Sequence, residues 1–77
     1  MHEATLSFEY ESATRARHIE RAIGPELGDI DNDRSSVRAD RTGTCLELAV
    51  AADDLVALRA ATNTWLSLVT TAERVDS

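Results

Sequence analysis

Seventy-seven residues suffice for one small domain, spanning 1–77, and a core of that size supplies only about 3–5 kcal/mol of net stability unless something staples it. Cys45 is the sole cysteine, which excludes an internal disulfide. With only His2 and His18 beside it, the chain is too poor in ligands for a closed zinc site, so neither metal nor any other cofactor is expected. Fourteen acidic residues against eight arginines and no lysine give a net charge of −6, which argues against nucleic-acid binding held by phosphate contacts alone and fits a host living in concentrated salt.

The first ten residues have neither a basic start nor an apolar secretory core, and no run approaches the ~18 apolar residues of a membrane span. A cytoplasmic chain with no membrane partner is therefore expected, and oligomerisation is the natural staple left to it. Residues 4–10 alternate, with Leu6, Phe8 and Tyr10 on one face and Thr5, Ser7 and Glu9 on the other, the period of a half-buried strand. Ser12 is placed to cap a helix running to about Ile23, with Ala16, Ile19 and Ile23 at its core-facing positions and Gly24-Pro25 stopping it. Residues 24–33, rich in acids and turn formers, read as a connector without an element of its own. Two further strands follow at 35–40 and 44–51, pointing Val37, Ala39, Leu46, Leu48 and Val50 inward. Arg41-Thr42-Gly43 reads as a three-residue hairpin loop between them, with Gly43 at a positive φ. Asp53 then caps a long helix over 54–72, helped by the negative charge of Asp54 in its first turn.

The order β-α-β-β-α with a right-handed crossover gives an α+β fold: a three-stranded antiparallel sheet in order 1-3-2 with both helices on one face. It is a ferredoxin-like unit without the final strand that would cover strand one. Strand one is thus an open edge, and its residues Thr5, Ser7 and Glu9 are candidates for pairing with a second copy.

The long helix is anomalous, because between Leu55 and Ala72 it carries one charge, Arg59, in a chain that is 29% charged. Leu55, Leu58, Thr62, Trp65, Val69 and Ala72, with Leu66 at the border, form the expected core side. Ala57, Ala61, Thr64 and Leu68 form a second line at spacings that let another helix approach closely, and this line is the candidate docking face. No catalytic arrangement is legible. Ser12, His18 and Asp29 lack a strand-turn-helix nucleophile frame, His18 reads as a helix-surface residue, and Cys45 reads as a small side chain on the face of its strand opposite Leu46 and Leu48. Gly24 to Gly28 is one residue too long for the G-x-x-G clamp of a KH domain, and Asp29, Asp31 and Asp33 downstream would repel phosphate.

The segment Ala51-Ala52-Asp53-Asp54-Leu55, followed by Leu58-Arg59-Ala60-Ala61-Thr62-Asn63-Thr64-Trp65-Leu66, resembles the Pcc family of KEOPS-complex subunits, which includes the CTAG proteins. In that family an L-R-A-x-x-N-[ST] signature opens the final helix. The opening strand and the helix A-R-H-I-E-R-A-I agree as well, so the likeness spans nearly the whole chain. The resemblance implies a non-catalytic subunit that forms homodimers and docks its helices on the threonylcarbamoyl transferase subunit. That enzyme modifies the adenosine beside the tRNA anticodon, and the small subunit is thought to assist tRNA engagement only within the complex. Carried over by position, Arg59 and Asn63 match the signature pair and lie one turn apart on one face. With Ala57, Ala61, Thr64 and Leu68 they make up the expected partner-binding set. The absence of lysine departs from a tRNA-assisting role. A stand-alone KH-like RNA-binding domain and an ACT-like regulatory domain are the alternative readings of the same element order.

Overall fold

A computed structural model of the chain describes residues 1–29 and 35–76. Three strands, β1 (His2–Glu9), β2 (Ser35–Thr42) and β3 (Cys45–Ala52), form one antiparallel sheet in the order β1-β3-β2. The helices are α1 (Ala13–Ile23), the single turn α2 (Glu26–Asp29) and α3 (Leu55–Asp76). The expected order, sheet topology and class are those observed, with α1 and α3 on one face.

The period of two decides which face they cover. Register places Leu6, Leu48 and Ala39 in one row across the sheet, with Phe8, Leu46 and Arg41 in the next row on that face. Leu46, Leu48 and Val50 are fully buried, whereas Glu47 between them is exposed. From the helix layer Ile19 and Ile23 of α1 and Trp65, Val69 and Ala72 of α3 complete the cluster, and Leu6, Phe8, Tyr10, Val37 and Ala39 pack around it. Trp65 is the largest of these fully buried side chains. Truncating an aromatic of this kind removes about 3–5 kcal/mol, comparable with the whole stability available to a domain of this size.

Several boundaries differ from expectation, each for a local reason. The hairpin loop is two residues, Gly43-Thr44, because Thr42 pairs directly with Cys45; Gly43 still takes the positive φ, 61°. Asp54, not Asp53, caps α3, its Oδ1 accepting from the Ala57 amide at 2.8 Å. Ser12 caps α1 as expected, accepting from the Arg15 amide at 3.1 Å. The segment after Gly24 contains α2 where a plain connector was expected, closed onto α1 by the Leu27 amide donating to the Gly24 carbonyl. Asp31 and Asp33 of that connector lie outside the described residues.

Helix α3 runs one turn past the expected end because its last turn is fastened to α1. Arg15 donates to Asp76 Oδ2 at 2.8 Å and to the Glu73 carbonyl at 3.3 Å, while His18 Nδ1 lies 3.1 Å from Asp76 Oδ1. Tyr10 donates its hydroxyl to Glu73 at 2.8 Å and lies under the Arg15 guanidinium, 5.9 Å from the ring centre. Burial and then that hydrogen bond raise the Tyr10 pKa, so the phenol stays protonated as donor. An aspartate at a helix C-terminus opposes the helix dipole; Arg15 offsets this by answering the carboxylate and a terminal carbonyl together.

Arg15 and Asp76 are each about three-quarters buried, so the pair is worth more than an exposed one. Asp76→Ala is expected to cost about 1–2 kcal/mol, lowering the melting temperature by roughly 4–16 °C in a domain of this length. In the Arg15→Ala background the same substitution should cost much less, which a double-mutant cycle by thermal melting will read.

Candidate functional site

The fold divides α3 differently from the helical projection. Ala61, expected on a docking face, is only 9% exposed and belongs to the core. Ala57 and Leu68 are half-buried, Leu68 against the core cluster, and Thr64 alone of that line is exposed. Conversely Leu55, expected in the core, is 58% exposed, and Leu66 is 40% exposed. Trp65 explains the rotation: the largest side chain turns fully inward, and the arc centred on it takes in Ala61, Leu68, Val69 and Ala72. Trp65, Val69 and Ala72 fit either line, so their spacing did not choose between Leu55 and Ala61.

What remains open on α3 is a flank whose charged residues are the arginines Arg59 and Arg74, with no acidic side chain lining it. Leu55, Leu58, Arg59, Thr62 and Asn63 line a shallow hollow of about 260 Å³, which brings the pair Arg59 and Asn63 together. Leu66, Ser67, Thr70, Thr71 and Arg74 line a second hollow of about 280 Å³ further along. Thr64 and Thr70 donate their hydroxyls back to the Ala60 and Leu66 carbonyls of their own helix, so these side chains present less unmet polarity than their formulae suggest.

The second open surface is the sheet face away from the helices. Thr5, Ser7 and Glu9 all point there from β1, beside Cys45, Glu47, Ala49 and Ala51 of β3 and Ser36, Arg38, Asp40 and Thr42 of β2. A concavity of about 460 Å³ lies at the Glu3, Ala51, Ser36 end of the sheet. The opposite end is acidic: Ser7 donates to Glu47 at 3.4 Å and Thr44 to Glu9.

Among the described residues the arginines do not gather into a groove. Arg15 and Arg41 are held by Asp76 and Glu20 at 2.8 and 2.9 Å, Arg17 and Arg21 lie on α1, Arg38 on the open sheet face, and Arg59 on α3. The serine and histidine of the hypothetical trio are otherwise engaged, Ser12 as a cap and His18 with Asp76. Among the described residues no three His, Cys, Asp or Glu side chains converge as a metal site, and no helix is long and apolar enough to cross a membrane.

The sequence model of the family described as Transcription factor Pcc1 matches residues 3–75. The chain belongs to the Pcc1 family. The Pcc1 match covers every element from β1 to the last turn of α3, which is the family of small, non-catalytic KEOPS subunits associated with tRNA processing. A search of curated proteins finds no match to the chain. Within the Pcc1 match, Arg59 and Asn63 stand at the start of α3, exposed and side by side.

Cys45 is half-buried on the open face of β3. Desolvation, reinforced by the carboxylates of Glu9 and Glu47, raises its pKa. A raised pKa leaves less thiolate at neutral pH, and the thiolate is the nucleophile. Alkylation at pH 8 should therefore be slower than for a free cysteine peptide, and Glu47→Gln should accelerate it.

Proposed function

We propose that the chain is the dimerising scaffold subunit of a KEOPS complex in the cytoplasm, with no catalytic role of its own. It docks the threonylcarbamoyl transferase subunit through the open flank of α3 and meets a second copy of itself through β1. The observation that carries this reading is the Pcc1 match over residues 3–75, combined with an exposed helix flank that bears two arginines and no acidic side chain among the residues lining its hollows. Arg59, Asn63 and Thr64 are the accessible members of the partner-binding set, joined by Leu55 and Leu66. Ala57 and Leu68 border the contact, and Ala61 supports it from the core. Thr5, Ser7 and Glu9 serve the homodimer.

The word transcription in the family's description invites a nucleic-acid reading. A net charge of −6 with arginines spread over opposite faces argues against direct binding to DNA or RNA, since affinity would rest on phosphate neutralisation that salt abolishes. Contact with tRNA is accordingly proposed only within the complex. The same dispersal weighs against a KH-like RNA-binding domain.

Leu66→Glu tests the docking flank. A charge placed at a packed helix interface should weaken capture of the purified transferase subunit at high salt by about tenfold or more, while the isolated protein melts within about 0.5 kcal/mol of the parent. Ala61→Glu should instead lower the melting temperature, because it drives a charge into the core. Undiminished capture by a folded Leu66→Glu variant would remove this flank from the interface.

A further inference from the structure

We propose that the hollow at the start of α3 is a carboxylate-binding site, in which Arg59, with Thr62 and Asn63 beside it, receives an aspartate or glutamate side chain from a helix of the transferase subunit. This rests on the docking role proposed above and specifies the chemistry that the partner must present there.

Three observations point to a carboxylate set among apolar groups. Arg59 is the one charged residue between Leu55 and Ala72 in a chain of net charge −6. It is exposed, and among the described residues it has no ion-pair partner, whereas Arg15 and Arg41 are held by Asp76 and Glu20. Asp54, one turn earlier, is committed as a cap, its Oδ1 accepting from the Ala57 amide at 2.8 Å. The lining of the hollow is the second observation: it offers a guanidinium, a hydroxyl and a side-chain amide, and no carboxylate. Arg59 and Asn63 are one turn apart, a rise of about 6 Å. Thr64 and Thr70 bond back to their own helix, but Thr62 and Asn63 make no side-chain hydrogen bond among the described residues. A carboxylate accepts from a guanidinium and from neutral donors at the same time. Third, Leu55 and Leu58 give the hollow an apolar side, and Leu55 is 58% exposed. That suits an acid carried on a packed helix surface, whose apolar neighbours exclude water around the ion pair.

A nucleic-acid phosphate is the poorer occupant. One arginine neutralises one phosphate, an attraction that concentrated salt removes, and a phosphate backbone brings nothing apolar to cover Leu55 and Leu58. A carboxylate enclosed at a helix contact is screened far less than an exposed charge, so the pair keeps its value in molar salt.

The chain has no lysine, and this makes the test direct. Arg59→Lys introduces a single side-chain amine, and it does so inside the hollow. In the complex of the full chain with the purified transferase subunit, a zero-length carbodiimide should join that amine to an aspartate or glutamate of the transferase, located by mass spectrometry. Arg38→Lys, on the open sheet face, should give no such crosslink to the transferase. Arg59→Glu should weaken capture at molar salt by about tenfold or more, and replacing the crosslinked acid of the transferase with arginine should restore it. Position 59 is exposed, so the melting temperature of Arg59→Glu should match the parent and show an intact fold. Full capture by Arg59→Glu where Leu66→Glu loses it would overturn the carboxylate site and leave the docking flank in place. Full capture by both variants would overturn the flank itself. Weakened tRNA retention by Arg59→Glu with transferase capture unchanged would give the hollow to a phosphate and overturn the proposal.

Discussion

Everything in this chain depends on β3. Among the described residues it is the one strand paired on both sides, and its Leu46, Leu48 and Val50 are buried with Trp65 and Ile19 in the core. A sheet of three strands has two faces and the chain has helices for one. The covered face therefore carries nearly all of the apolar burial, about 25 cal/mol per Å² removed from water, and the other face is left for whatever meets the protein from outside. The fold and the exposed surfaces both follow from helices that lie on one face of the sheet.

Polar contacts fasten the ends of these elements to one another. The cluster of Tyr10, Arg15, His18, Glu73 and Asp76 ties the end of α3 to the start of α1, and Arg41 with Glu20 ties the hairpin end of β2 to α1. Arg15, Asp76 and Arg41 are each mostly buried, and every buried polar side chain among the described residues has a partner. In concentrated salt, exposed charge pairs lose most of their value, whereas these sheltered ones keep theirs. The long helix that the Pcc1 family match ends on is held at its far end by this network.

The sheet was legible because period two is an unambiguous code when one face is buried: Leu6, Leu46, Leu48 and Val50 could point only one way. The capping serine, the glycine at positive φ and the strand order were legible for similarly local reasons. The rotation of α3 was not. A helix whose residues are nearly all neutral offers two overlapping lines of candidates, and the choice between Leu55 and Ala61 was made by the volume of Trp65 seeking the deepest position over the sheet, a tertiary effect that spacing does not encode. The last turn of α3 was likewise missed because its stability comes from Tyr10 and Arg15, some sixty residues away in sequence. Of the candidate site, Arg59 and Asn63 were found as a pair, whereas the exposure of Leu55 and Leu66 beside them appeared only once the helix was docked.

The account stands on the claim that this acidic, charge-dispersed chain serves tRNA modification as a scaffold and holds no chemistry of its own. The most direct measurement is the threonylcarbamoyladenosine content of bulk tRNA, by mass spectrometry of nucleosides, in cells depleted of the chain and then supplied with it again. The account predicts that the modification falls on depletion and returns with the intact chain, but not with a folded variant unable to hold the transferase. Unchanged threonylcarbamoyladenosine after full depletion would contradict it.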